Sequence, residues 1–474
     1  MTLPAKFVER VLRDLGGTEG AALCAALDAE PPVSVRLNPA KTGADTLPAG
    51  PDAGLPVPEA AGLPALAIAG RVPWSRDGRY LAVRPSFTLD PDFHAGAYYV
   101  QEASSQFVGH LLAAVRTEGA RILDLCAAPG GKTTLYASLA GPDGLVVANE
   151  IDRRRASVLA DNVRKWGTGN VAVTTCEPRA LGDFEAWFDV VAVDAPCSGE
   201  GMFRKDPDAR GEWSEGNVKQ CAARQDEILR EAWRALRPGG TLVYSTCTFN
   251  RDEDEGALER MAAWAGDEIA ESEETAVEDA WGIVCGRVGA FRTFRFYPHR
   301  TCGEGFFAAV ARKSFDAGGR VRAPKARRTV FAAMDRKTAG ELARWVRNPG
   351  GMRFAAVADT CYAWYAAQAD AVRTLSEALP VIYSGVALGQ VFKGVLKPDP
   401  ALAFFDGLNR GALPAAELDD EETLRFLRRQ DIAAGGLAEG MNLVCSRGRA
   451  LGFAKRIGAR VNNLYPNSLR IIKQ

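Results

Sequence analysis

RILDLC (residues 121–126) running into AAPGGKT (127–133) joins a short apolar segment of strand length to the opening of a helix. Its glycines let backbone N–H groups come close to a ligand, and the amino end of the helix favours negative charge. Outward from this stretch, short apolar runs alternate with longer amphipathic ones. LVVANEI (145–151), VAVTT (171–175), VVAVD (190–194) and TLVYST (241–246) are further strand candidates, with helix candidates near 131–140, 152–166 and 217–236. In the last helix Val218, Cys221, Gln225, Ile228, Leu229, Ala232, Trp233 and Leu236 keep the three–four spacing of one mostly apolar stripe. Strands alternating with helices predict a parallel sheet covered on both faces. This is a doubly wound α/β fold, with its ligand at the carboxyl ends of the strands.

Three ligands compete for the loop. A dinucleotide site wants G-x-G-x-x-G, which is absent. A P-loop wants glycine five residues before Gly131, where Cys126 stands, although GGKT and the apolar run into Asp194 mimic its two halves. The third is a methyltransferase loop around S-adenosylmethionine. Glu150 ends the next strand candidate, where a carboxylate can accept hydrogen bonds from both ribose hydroxyls.

Two further segments deliver reactive groups to the same edge. In VVAVDAPCSGEGMFRKD (190–206) an apolar run ends at Asp194, and Pro196, Cys197 and Gly199 break it. In LRPGGTLVYSTCTF (236–249) another buried strand ends at Cys247. One buried cysteine is ordinary packing. Two, each just past a strand end and one beside an aspartate, would face one pocket if the strands are neighbours.

Composition sets the frame. A chain of 474 residues outgrows one core, so two or three domains are expected. With 47% hydrophobic and 25% charged residues it has the balance of a soluble globular protein. No apolar run is long enough for a membrane helix, and MTLPAKFVERVLRDL at the start reads as an amphipathic helix of a cytoplasmic protein rather than a signal peptide. The ten cysteines form no C-x-x-C pair and fit free thiols in a reducing compartment. His94, His110 and His299 lie at no ligand spacing from cysteines, so no metal is expected. A net charge of −1 means that any surface for nucleic acid must be local. Residues 43–70, rich in Ala, Gly and Pro, predict an irregular loop. FRFYPHR (294–300) and FFAAVAR (306–312) predict the last strands of the sheet domain. KSFDAGGRVRAPKARR (313–328) reads as a basic linker, followed by a helical piece to about 375 and a glycine-rich tail of short strands.

Taken together, DLCAAPGGKT (124–133), Glu150, DAPCSG (194–199) and the Thr246-Cys247 pair resemble the RNA 5-methylcytosine methyltransferases of the Nop/Sun family. GEGMFRKD, FYPHR and GEGFF (303–307) resemble its bacterial RsmF-like branch, which methylates 16S ribosomal RNA. SVRLNPAK (34–41) looks like that family's N-terminal RNA-contacting strand, GAYYVQEASS (96–105) like the entry to the methyltransferase domain, and NNLYPNSLRII (462–472) like the end of its small β module.

The resemblance implies a doubly wound Rossmann-like methyltransferase core at 101–313 and an N-terminal α/β RNA-binding region at 1–100. A linker and helical connector (314–375) would lead to a C-terminal, small, mostly-β PUA-like module at 376–474. It implies S-adenosyl-L-methionine held by Cys126, Ala127, Ala128, Pro129, Gly130, Gly131, Lys132, Glu150, Arg155 and Asp194. Relatives carry Asp just after the third strand; TTCEPRAL (174–181) offers only Glu177 in its place.

By the same resemblance Cys247 adds to the pyrimidine ring, Asp194 stabilises the charge that develops there, and Cys197 assists release. Lys132 would either lower a thiol pKa or hold the cofactor carboxylate. RNA, as 16S rRNA or the small ribosomal subunit, would lie in a cleft bordered by Arg36, the core and the C-terminal module. The linker cations Arg320, Arg322, Lys325, Arg327 and Arg328 either contact phosphates or are merely solvated. The alternatives are a transfer RNA substrate, a P-loop hydrolase, and an inactive RNA-binding scaffold.

Overall fold

The computed structural model describes residues 2–42 and 63–472. The loop expected at 43–70 therefore lies mostly outside the described residues. Among these residues a ten-stranded mixed sheet forms the centre. Its strands are β1 (Arg121–Asp124), β2 (Leu145–Asn149), β3 (Val171–Thr174), β4 (Phe188–Asp194), β5 (Leu236–Thr246), β6 (Ile269–Ala270), β7 (Val284–Val288), β8 (Phe291–Phe296), β9 (Phe306–Lys313) and β10 (Val381–Ser384). The order is β7-β8-β9-β5-β4-β1-β2-β3-β10, with β6 pairing β9. Pairs among β1 to β5 are parallel, while β9 against β5 and β10 against β3 are antiparallel.

β2 and β3 are apolar except at their last residues, and β1 is apolar at Ile122 and Leu123, because both faces of the sheet are covered. Helices α1 (Gly131–Ala140) and α2 (Arg153–Trp166) cover one face, where Leu135, Leu159 and Val163 are buried. Helices α3 (Glu215–Ala235) and α4 (Glu255–Ala265) cover the other, where Ile228, Leu229, Trp233 and Leu258 are buried. Each such side chain contributes about 1.5–3 kcal/mol by leaving water. The apolar stripe predicted in α3 is buried throughout, including the polar Gln225.

The amino-terminal amphipathic helix spans Ala5–Leu15 and buries Phe7 and Val11. Phe7 packs edge-on against Phe203 and Trp213, which places this helix behind the loop that follows β4. SVRL forms a strand, Val33–Leu37, in a separate four-stranded sheet.

Residues 314–375 differ from the helical connector expected there. Arg336–Ala343 and Ala369–Ala378 are helices, but Met352–Val357 and Thr360–Tyr365 form a hairpin that pairs onward with Val386–Phe392. The Ala content of MRFAAV and TCYAWY suggests helix, yet their aromatic residues suit a pleated, half-buried surface. The tail also divides. Val381–Ser384 is an edge strand of the central sheet, and a four-stranded sheet whose strands run from Ala415 to Asn463 forms the small β module.

Candidate active site

β4 and β5 are adjacent and parallel, with Asp194 opposite Ser245, so both strands release their loops at one edge. Pro196, which has no N–H to give the ladder, turns the chain out after β4. The two loops bring Cys197 Sγ and Cys247 Sγ to 3.1 Å, and the Cys247 backbone N–H points at Cys197 Sγ at 3.4 Å. The hydrogen bond with Cys247, then burial, pushes the Cys197 thiol well above its ordinary pKa.

Asp194 is held on both oxygens. Ser245 Oγ donates to Oδ1 at 2.8 Å, and Lys132 Nζ lies 2.8 Å from Oδ2. Burial works against the Lys132 charge, but Asp194 outweighs it and the ammonium is stabilised. Lys132 also stands 5.2 Å over the Phe306 ring. The predicted cluster of Asp194, Lys132, Cys197 and Cys247 thus converges at the carboxyl edge of the sheet.

Beside it is a cavity with about 500 Å³ of empty volume. Cys126, Ala127, Ala128, Pro129, Gly131, Lys132 and Asp194 line it, together with Tyr99, Gln101, Glu102 and Asp124. Gly130 takes φ +110°, and Gly131 opens α1 with its backbone at the cavity wall. Asp124 accepts from Thr133 Oγ1 at 2.7 Å, and burial raises its pKa to about 7. Burial also raises the Cys126 thiol.

Glu150 and Arg155 sit beside this cavity rather than lining it. Glu150 is 4% exposed; Arg155 lies 3.3 Å from its carboxylate and donates to Ala128 O at 3.0 Å. Glu177 is exposed, at the amino end of the short helix Pro178–Gly182.

Arg36, expected to border RNA, is instead only 2% exposed. It donates to Gln101 Oε1 at 2.7 Å, Thr134 Oγ1 at 2.6 Å and Gly131 O at 3.1 Å, and lies over the Trp166 ring. It stitches the N-terminal strand to the glycine loop, because a buried guanidinium needs acceptors more than it needs solvent. The linker is pinned as well: Arg322 N donates to Glu185 O beside the amino end of β4, and the Arg328 guanidinium donates to Ser376 O and Leu379 O.

Sequence reasoning missed the cage behind the two cysteines. Glu200 Oε2 accepts from Thr248 Oγ1 at 2.7 Å and Phe249 N at 2.9 Å. Glu200 Oε1 accepts from Asn250 Nδ2 and Trp213 Nε1. Glu253 Oε2 accepts from Ser198 N at 2.9 Å and Gln225 Nε2 at 3.0 Å. Gln225, polar within an apolar stripe, was the one signal of this cage. GEGM and GEGFF also have a physical reading: Gly201 N donates to Cys247 O at 2.8 Å, and a Cβ on Gly201 would stand 2.5 Å from Gly305 O.

Among the described residues no helix is long and apolar enough to cross a membrane. No group of three or more His, Cys, Asp and Glu residues there is placed to hold a metal ion.

Comparison with known proteins gives the family. Residues 111–312 match the 16S rRNA methyltransferase RsmB/F family, residues 3–103 the N-terminal domain of 16S rRNA methyltransferase RsmF, and residues 414–471 the methyltransferase RsmF PUA domain. Ribosomal RNA small subunit methyltransferase F of Shewanella loihica is 32% identical over 418 residues, 84% of this chain and 83% of that protein. The protein of the same name from Erwinia tasmaniensis is 31% identical over 421 residues, 84% of each chain. Among solved structures, a methyltransferase homologue from Pyrococcus horikoshii aligns with TM-score 0.53 and 27% identity, over 65% of this chain and 94% of that one. The chain belongs to the ribosomal RNA small subunit methyltransferase F family, S-adenosylmethionine-dependent enzymes with a Rossmann-like core and a PUA-type RNA-binding domain.

Proposed function

We propose that this chain methylates carbon 5 of a cytosine in 16S ribosomal RNA, in the cytoplasm, through a covalent adduct with Cys247. The observation that carries the reading is the approach of two thiols to 3.1 Å beside the Lys132–Asp194 pair. An enzyme that adds one thiol to a ring and must later leave it has work for both. The cavity of Cys126 to Pro129, Gly131 and Lys132 fits S-adenosylmethionine, with backbone N–H groups at the α1 amino end for its carboxylate and Glu150 alongside for its ribose. When bound, that cofactor supplies an electrophilic methyl group.

The residues of this chain do the remainder. The Cys247 thiolate bonds to carbon 6 of the cytosine, which breaks aromaticity and makes carbon 5 enamine-like. Asp194, fixed by Ser245 and Lys132, faces the pyrimidine nitrogen and stabilises the charge developing there. Lys132 acts by holding Asp194 in place. After carbon 5 is methylated, Cys197 takes the proton from that carbon. The electron pair returns to the ring and the bond from carbon 6 to Cys247 breaks. The target base must be unpaired or flipped out to admit this attack. Arg155 completes the cofactor site by orienting Glu150 and the Ala128 carbonyl.

Nucleosides from 16S rRNA incubated with the chain and S-adenosylmethionine, analysed by mass spectrometry, are expected to contain new 5-methylcytosine. A methyl group on another base, or on transfer RNA alone, would overturn the reading.

A further inference from the structure

Two thiols of the same intrinsic chemistry stand side by side, and a single-nucleophile reaction requires one to ionise first. Their surroundings differ. Beside the pair lies the Lys132 ammonium, 2.8 Å from Asp194 Oδ2. On the Cys197 side lies Glu253, 0% exposed. Its Oε2 accepts from the N–H of Ser198, the next residue after Cys197, and from Gln225 Nε2, which also holds Pro196 O at 3.1 Å. Its Oε1 accepts from Asn250 Nδ2 at 2.7 Å. Burial, the largest influence, and the nearby Glu200 push the Glu253 pKa above the ordinary carboxylate value, while these neutral donors favour the ionised form and leave its charge, once formed, uncancelled.

We propose that Glu253 is the positioning residue that separates the roles of the two cysteines. Anchored to the loop of Cys197, its buried negative charge keeps that residue a neutral thiol and leaves Cys247 to ionise. The proposal rests on the reading of Cys247 as nucleophile.

The other groups facing the pair act around this charge. Tyr244, wholly buried beneath, gives its hydroxyl to Glu253 O at 2.6 Å. Cys221 on α3 feels both Glu253 and Cys247. Glu200 shares Asn250 with Glu253. The Cys197 thiol is pushed up by its hydrogen bond with Cys247, by burial, by the Cys247 charge and by the Glu253 charge, in that order. Once Cys247 is bonded to carbon 6, its charge is gone, and Cys197, only partly buried, gives its proton to solvent water and as thiolate takes the proton from carbon 5. The cage therefore orders the two ionisations: nucleophile first, base second.

The test is the pH dependence of alkylation by iodoacetamide, followed on the Cys197 and Cys247 peptides by mass spectrometry and expressed as the pH of half-maximal rate. In the wild-type chain Cys247 is expected to reach half-maximum at least one pH unit below Cys197; coincident or reversed curves overturn the proposal without any variant. In a Cys247→Ser background, which removes the partner thiol, Glu253→Gln should lower the Cys197 half-point by about one unit, tenfold in proton affinity. Glu253→Asp, which keeps the charge, should restore it. A Cys197 curve unmoved by Glu253→Gln contradicts the proposal. These readings need no RNA, so absence of 5-methylcytosine would defeat the functional reading while leaving the alkylation order to be judged by itself.

Discussion

The two ends of α2 border assemblies built on different physics. Its amino end meets the glycine loop through Arg155, at the carboxyl edge of the sheet where the cysteine pair also sits, an assembly held by buried carboxylates and hydrogen bonds. At its carboxyl end, about 21 Å away for 14 residues at 1.5 Å each, the N-terminal and C-terminal regions meet the core. There Asn38 donates to Trp166 O, Lys41 Nζ donates to Lys165 O and Ala95 O, and Asp406 N donates to Gly167 O. Arg447 and Arg449 bind Asp92, which ties the C-terminal sheet to the N-terminal region. The first assembly fixes atoms for a reaction, whereas the second fixes modules for reach. Damage to the first should appear in kcat, and damage to the second in stability or RNA affinity.

The largest expected effect sits at the reaction edge. Cys247→Ala should remove turnover, at least 10³-fold or about 4 kcal/mol of barrier, with cofactor affinity by calorimetry retained. Retained turnover would break the contrast between the two ends. Asp194→Asn should lower kcat by roughly 10²-fold, since it weakens the hold on Lys132 and removes the charge facing the ring. A change confined to KM would contradict that role.

At the far end, Gly167→Ala should act on stability. Gly167 has φ +90°, and a Cβ there would stand 2.1 Å from Phe404 O. The cost is about 1–3 kcal/mol, read as a lower melting temperature with kcat preserved below it. A fall in kcat with unchanged melting would show that the junction is part of the reaction machinery.

Asp124 adds a pH dependence. Burial raises its pKa to about 7 in the fold, above the unfolded value near 4, so the folded chain binds more protons between these limits. Its ionisation therefore costs stability as pH rises from 4 to 7. Asp124→Asn should gain stability relative to wild type across that window and level off above it, by chemical denaturation at each pH. A flat difference would place the titration elsewhere.

The smallest effect is expected in the linker. Arg320, Arg322, Lys325 and Arg327 are exposed, and Arg322 is anchored beside the amino end of β4, away from the cysteines. Replacing the four with alanine should change the slope of log affinity against log salt by less than one phosphate contact, about 0.7–0.9. A larger change would place RNA on that surface.

Much of this was legible in the sequence because it rests on local rules. Short apolar runs gave β1 to β5, and DLCAAPGGKT, DAPCSG and Thr246-Cys247 named the edge where they end. Adjacency of β4 and β5, which brings the cysteines together, is a fact of sheet order, and sequence periodicity carries none. The expectation that Arg36 borders RNA comes from the likeness of SVRLNPAK to an RNA-contacting strand; Gln101, Thr134 and Gly131, distant in sequence, are what bury it. Glu253 and Asn250 sit in TFNRDEDEG, which reads as a solvated turn, because burial of a charged run depends on what folds over it. The hairpin at 352–365 was hidden by its alanines.

The central claim, one nucleophilic thiol and one releasing thiol in one pocket, is tested most directly by trapping. Cys197→Ala, incubated with 16S rRNA and S-adenosylmethionine, should accumulate an RNA–protein band that survives a denaturing gel, while Cys247→Ala gives none. A denaturation-stable band formed by Cys247→Ala, and absent from Cys197→Ala, would contradict the account.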